Sequence, residues 1–205
     1  MTNSTAIFGY GSLVWRPGFD YESKEVGFIR GYKRVFWQGS TDHRGTPEAP
    51  GRTVTLAEEE GAVTWGVAYR LAGSEEQQQQ TVAYLEWREK QYDVRRLCHM
   101  YSEDSPQQPV LRDVLVYIAT DSAANENWLG PAPLPAIARQ IATSRGPSGS
   151  NHEYLLQLAE AMRQVIIQGL RVWRAMCCCW LCLRLACVYS ATLAGVAAAV
   201  CCRGL

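Results

Sequence analysis

The sequence predicts an α+β fold in which several antiparallel strands curl against a few helices. Three observations carry this: β-forming segments crowd the first part of the chain, capping-box patterns mark helix starts at Ser74 and Ser150, and proline- and glycine-rich punctuation separates the later helices. Strands come first and helices later, an order that suits a sheet with helices packed on it rather than alternating βαβ units.

Residues 5–8 are expected to form a short strand running into the glycine loop Gly9-Tyr10-Gly11-Ser12. Residues 26–38 are rich in β-formers, with Phe28, Tyr32, Val35, Phe36 and Trp37, and residues 39–51 read as loop. Val54 and Leu56 alternate with Thr53 and Thr55, and Trp65, Val67, Tyr69 and Leu71 share one face of residues 63–71, as half-buried strands require. The segment 58–62, ending in Gly61-Ala62, suits a hairpin between those two strands. Ser74 with Gln77 forms a capping box for a helix over 75–90. Further strands are expected at 94–101 and 114–119, a helix over 136–144 after the proline-rich 130–135, and a last helix from the Ser150/Glu153 capping box to about residue 165.

The chain has 205 residues, with 20 basic and 20 acidic side chains and an apolar fraction of 47%. That suits one soluble domain plus an appendage, and the neutral balance without a basic run lacks the footprint of nucleic-acid binding. The N-terminal Met1-Thr2-Asn3-Ser4-Thr5 has neither a charged leader nor a long apolar core, so the cytosol is the expected compartment. Of the eight cysteines only Cys98 precedes residue 177, and this lopsidedness marks a boundary between residues 1–165 and 166–205.

Two separated features suggest chemistry. The first is Glu89: on a helix, Gln78, Val82, Leu85 and Glu89 fall in one narrow band with Tyr92 beside it, and a carboxylate among apolar side chains acquires a raised pKa suited to proton transfer. A second apolar side, Ala83, Tyr84 and Trp87, competes with that band; if it faces the core, Glu89 is solvated. Glu86 is expected to pair with Lys90 at i,i+4. The second feature is the loop of Gly9, Tyr10, Gly11, Ser12, Leu13 and Val14, whose backbone N–H groups at a sharp turn suit a carbonyl or carboxylate. Gly-x-Gly also occurs in ordinary turns, and the third glycine of a dinucleotide fingerprint is missing.

Phe8-Gly-Tyr-Gly-Ser-Leu13, Phe36-Trp-Gln-Gly-Ser-Thr-Asp-His-Arg-Gly45, Trp65-Gly-Val-Ala-Tyr-Arg70, Arg88-Glu89-Lys90, Leu129-Gly-Pro-Ala-Pro133 and Gly146-Pro-Ser-Gly149 follow one another in an order that resembles the ChaC-type, glutathione-specific γ-glutamylcyclotransferases. The resemblance runs from about residue 7 to 165. It implies a mixed, barrel-like sheet with a few packed helices and cleavage of glutathione to 5-oxoproline and cysteinylglycine without metal or other cofactor. It makes Glu89 the catalytic acid/base and assigns Gly9, Tyr10, Gly11, Ser12, Leu13 and Val14 to the loop that holds the γ-glutamyl group. Action on other γ-glutamyl compounds, or a catalytically silent binding module of the same fold, are the alternatives.

Other polar residues have plainer readings. Asp42, His43 and Arg44 read as a hydrogen-bonded loop, because no serine nucleophile partners them in sequence; Arg44 or Arg52 suits the glycine carboxylate of glutathione; Cys98 reads as a buried small hydrophobe. Beyond residue 165 the chain is apolar, with Arg171, Arg174, Arg184 and Arg203 as its only charges. A membrane helix over 185–202 falls short of the roughly 20 apolar residues needed, and Cys179 and Cys182 lack a second metal-ligand pair. A non-native extension is favoured over membrane association.

Overall fold

The computed structural model describes residues 5–169. The membrane, metal and extension readings of the tail therefore fall almost wholly outside the described residues.

Five strands close a barrel: β1 (Ala6–Gly9), β2 (Tyr21–Ser40), β3 (Gly51–Leu71), β4 (Val94–Tyr101) and β5 (Leu111–Ile118), in the order β1-β3-β2-β4-β5. The neighbours pair antiparallel, and a parallel contact between β1 and β5 at Ile7 and Leu115 completes the ring, which makes the sheet mixed. Closure gives every barrel strand a partner on both sides over part of its length, which shortens the exposed sheet edge.

The hairpin expected at 58–62 does not form. Both flanking segments belong to the single strand β3, and each pairs with β2 instead of with the other. Between Arg30↔Val63 and Tyr32↔Glu58 the register slips, with Gly31 (φ 82°) on one strand and Gly61 (φ 75°) on the other in the left-handed region. A glycine able to adopt positive φ serves a bulge as readily as a turn, and bulges supply the bend that barrel closure needs.

Helix α1 (Glu75–Arg88) starts at the expected capping box: Ser74 Oγ accepts from Gln77 N at 3.4 Å and Gln77 Oε1 from Ser74 N at 2.8 Å. It stops before Glu89, which is its C-cap residue and donates its N–H to Leu85 O at 2.7 Å. Helix α2 (Leu134–Thr143) begins two residues earlier than expected, because Pro135 fits the first turn, where no N–H is needed. After a two-residue ribbon of β6 (Arg145–Gly146) and β7 (Gly149–Ser150), helix α3 (Asn151–Gly169) extends past the expected end. Only half of the second capping box forms: Glu153 Oε2 accepts from Ser150 N at 3.2 Å, while Ser150 Oγ turns to His152 Nε2 at 3.3 Å.

The core fills the barrel and continues under α2 and α3, where Tyr154, Leu155, Leu158, Ala159, Met162 and Val165 recur at helical spacing. A second cluster joins Ile7, Leu13, Leu71, Leu85 and Tyr117 beneath α1. Arg52, buried in β3, ties these parts together. Its Nε donates to Gln140 Oε1 at 2.6 Å, and Nη1 to the carbonyls of Phe36 at 2.8 Å and Gly130 at 2.9 Å. The Asn151 amide completes the junction, accepting from Arg52 N at 2.6 Å and donating to Arg52 O at 2.9 Å. Replacing Asn151 by Ala leaves two buried backbone groups without partners, so Asn151→Ala is expected to lose about 2–4 kcal/mol of stability in urea unfolding.

Candidate active site

The strand–loop junction after β1 is tight for reasons internal to the protein. A Cβ at Gly9 would lie 2.7 Å from Leu13 Cβ, and one at Gly11 would lie 3.1 Å from Val54 Cγ2 and 3.3 Å from Tyr154 Oη. Both glycines thus let the loop pack on its own turn, on β3 and on α3. The turn that follows, Ser12–Val14, is a short 3-10 helix, with Val14 N donating to Gly11 O at 3.0 Å and Arg16 N to Ser12 O at 2.9 Å. The Tyr69 hydroxyl pins it from the barrel by donating to Leu13 O at 2.9 Å. As at the start of any helical turn, the leading N–H groups have no intrahelical acceptor.

Helix α1 buries the face that carries Leu85. Leu85 is 0% exposed, whereas Tyr84 is 42% and Trp87 69% exposed. Leu85 sits on the band that carries Glu89, so the carboxylate is directed inward and its side chain is only 13% exposed. Glu86 instead reaches Arg95 on β4, Nη1 to Oε1 at 2.8 Å, and Lys90 pairs with Asp42 at 3.3 Å; the expected Glu86–Lys90 pair is absent because both ends find partners across the fold.

Glu89 stands where two hollows meet. A small inner recess is lined by Phe8, Tyr10, Gly11, Ser12, Leu13, Glu89, Tyr92 and Tyr117. An outer cleft of about 650 Å³ shares Ser12, Glu89 and Tyr92 with it, and its walls carry Arg16, Arg44 and Arg88. Of the loop residues singled out in the sequence, Tyr10, Gly11, Ser12 and Leu13 meet Glu89 at the recess; Gly9 and Val14 support the turn without lining either hollow.

Burial raises the pKa of Glu89, and Arg88, whose Nε lies 3.2 Å from Glu89 Oε1, partly offsets this. The surrounding phenols are all held neutral. Burial pushes Tyr10, Tyr92 and Tyr154 up, and Tyr117 to about 12. Tyr10 donates to Tyr117 O at 2.6 Å and Tyr92 to Val54 O at 2.9 Å, so these rings are fixed walls. Tyr92 was legible as the neighbour of the Glu89 band, but Tyr117 and Tyr154 reach the site from β5 and α3, which no local pattern announces.

The family model described as ChaC-like protein matches residues 5–172. A human protein named glutathione-specific gamma-glutamylcyclotransferase 1 is 51% identical over 160 residues, 77% of this chain and 69% of its own length. The chain belongs to the ChaC-like family. An Arabidopsis thaliana member, gamma-glutamylcyclotransferase 2-1, is 49% identical over 157 residues, 76% of this chain and 73% of its own. The crystal structure of a yeast gamma-glutamyl cyclotransferase specific to glutathione superposes with a TM-score of 0.74 at 30% identity, covering 92% of this chain and 97% of that one.

The remaining candidates of this ChaC-like chain divide clearly. Arg52 is consumed by the structural junction described above. Arg44 faces the outer cleft, with Nη1 donating to Ser150 O at 3.1 Å and lying 3.5 Å from Glu153 Oε2. The structure brings a serine to His43, whose Nδ1 is 3.2 Å from Ser148 Oγ. No catalytic triad results, because Asp42 Oδ1 is 3.9 Å from His43 Nε2, beyond hydrogen-bond reach, and its other oxygen is held by Lys90. Cys98 is partly buried in β4 with its thiol pKa raised by burial, the opposite of an activated nucleophile. Among the described residues no helix is long and apolar enough to cross a membrane.

The raised pKa of Glu89 has a sign for stability. A carboxyl that binds its proton more tightly when folded favours the folded state at pH below its unfolded pKa, and that contribution is lost as pH rises through the folded value. Glu89→Gln is therefore expected to raise the Tm relative to wild type at pH 8 and to lose this advantage on acidification toward pH 4, as followed by thermal melts across pH.

Proposed function

We propose that this chain cleaves glutathione by intramolecular cyclisation of its γ-glutamyl group, releasing 5-oxoproline and cysteinylglycine, with Glu89 as the single acid/base. The observation that carries the proposal is the buried Glu89 carboxylate at the junction of a small recess and a larger arginine-bearing cleft. The cleft of about 650 Å³ is assigned to the tripeptide, with its glutamyl end toward Glu89, Ser12 and the mouth of the recess. The names of the human and yeast relatives agree with this substrate.

In the proposed reaction the ionised Glu89 takes a proton from the α-ammonium of the glutamyl group. The freed amine attacks the γ-carbonyl carbon, closing a five-membered ring. As the tetrahedral centre collapses, the bond to the cysteinyl nitrogen breaks and Glu89 returns its proton to that nitrogen; the ring nitrogen gives up its second proton through the same carboxylate, and cysteinylglycine leaves as its ammonium form. The backbone N–H groups between Tyr10 and Ser12 are assigned to the oxyanion, a role worth about 3 kcal/mol per donor in other enzymes. Nucleophile and electrophile belong to one molecule, so the protein's main task is to hold the glutamyl chain in its attack geometry. Gly9, Leu13 and Val14 complete the assigned loop, Gly9 and Val14 through the shape of the turn. Residues 1–165 are taken as the catalytic unit. The cytosol, where thiols stay reduced, is taken as its compartment, in keeping with the free thiol of Cys98.

Glu89→Gln keeps the size of the side chain and removes the titrating group; 5-oxoproline release from glutathione is expected to fall about 10²–10⁴-fold. Full activity in that variant would refute the mechanism. Selection of glutathione over simpler γ-glutamyl compounds is assigned to Arg44. Arg44→Ala is expected to raise KM for glutathione about tenfold, as loss of a charged hydrogen bond would, with little change for γ-glutamyl-alanine. Parallel rates on the two substrates check this, and equal changes on both would remove Arg44 from substrate recognition.

A further inference from the structure

Arg88 is the neighbour of Glu89 in the chain, but its side chain reaches in another direction. It is only 16% exposed, and its planar guanidinium offers five donors in a fixed fork. Nε faces Glu89 Oε1 at 3.2 Å. Nη2 donates to Arg16 O at 2.9 Å and lies 3.4 Å from Ser12 Oγ, and Nη1 donates to Pro17 O. One side chain therefore touches the carboxylate, the recess-lining hydroxyl and two carbonyls of the segment that follows the glycine loop. Gly18 clears the space for it: its φ of 76° suits glycine, and a Cβ there would lie 2.8 Å from Nη1.

The segment from Ser12 to Gly18 lies outside the barrel strands, and its own backbone bonds are short-range. Among the described residues, the side-chain hydrogen bonds that tie it to other parts of the fold come from the Tyr69 hydroxyl and from Arg88. We propose that Arg88 is the positioning residue of this site, registering the loop that holds the γ-glutamyl group against the Glu89 carboxylate so that grip and proton transfer share one frame. The role of the loop in that statement rests on the function proposed above; the link between Arg88 and Glu89 does not. A lysine would supply the charge but not the planar fork that serves carboxylate and carbonyls together.

Charge adds to the geometry. Among the described residues, Tyr10 after β1, Tyr92 after α1, Tyr117 on β5 and Tyr154 on α3 face Glu89 from other elements, all neutral phenols. Arg34 of β2 is turned to the carbonyl of Tyr10 at 2.8 Å. Arg88 lies against the carboxylate and opposes the effect of burial.

The test compares wild type with Arg88→Gln and Arg88→Lys, each verified as folded by circular dichroism. Two quantities are read: kcat and KM on glutathione, and the titration midpoint of the Glu89 carboxyl by carbon-13 NMR, assigned by its disappearance in Glu89→Gln. Arg88→Gln is expected to move the midpoint upward and to carry the acid limb of the rate profile with it. Both variants are expected to lower kcat about 10²-fold, the cost of a misplaced reacting group, while Arg88→Lys keeps the midpoint near wild type. An unmoved midpoint in Arg88→Gln, or wild-type kcat in folded Arg88→Lys, overturns the inference. A lower Tm with neither change would mark Arg88 as merely structural and overturn it too. Should Arg88→Gln not fold, the kcat of Arg88→Lys decides. If wild type releases no 5-oxoproline, the proposed function fails, and the Glu89 titration still decides the link to Arg88.

Discussion

Leu85 is the contact on which the site depends. It is fully buried among Ile7 of β1, Leu13 of the turn, Leu71 at the end of β3 and Tyr117 of β5. Burying a leucine side chain contributes about 2 kcal/mol, and no other position on α1 is buried to the same degree. That anchor fixes how α1 is rotated about its axis. Four residues on, the same rotation directs Glu89 inward while Tyr84 and Trp87 stay in solvent. Because Leu13 shares the cluster, the packing that seats the helix also seats the loop.

The site balances two opposed electrostatic requirements. A carboxylate able to take a proton near neutrality must be partly withdrawn from water, and burial among Tyr10, Tyr92 and Tyr154 does that. Withdrawal favours the protonated form of the carboxyl, and the base needs the ionised one. Arg88, held by the carbonyls of Arg16 and Pro17, limits the shift without neutralising the site by an exposed, screened contact. Neutral phenols suit the walls: the Tyr10 and Tyr92 hydroxyls donate to backbone carbonyls, that of Tyr154 accepts from Val54 N, and none adds a competing charge.

Much of the fold was legible because local chemistry and tertiary structure agreed. The Ser74–Gln77 box starts α1 where the spacing predicts, since both partners of that box are exposed and nothing else competes for them. At Ser150 the box is only half made, because His152 takes the hydroxyl. The misread hairpin at 58–62 has a similar cause. A positive-φ glycine announces a change of direction, and only the partner strand decides whether that change is a turn or a bulge. The long β2 supplies a pairing partner on both sides of the slip, so β3 runs through it.

The sequence by itself determined the strand-then-helix order, the glycine turn and the band that joins Leu85 to Glu89, because periodicity and capping are local properties. Only the tertiary structure decided which side of α1 is buried, that Arg52 is a structural staple while Arg44 faces the cleft, and that Tyr117 and Tyr154 enclose the acid. Those outcomes depend on side chains distant in sequence competing for the same space and the same hydrogen-bonding groups. No local pattern records who wins that competition.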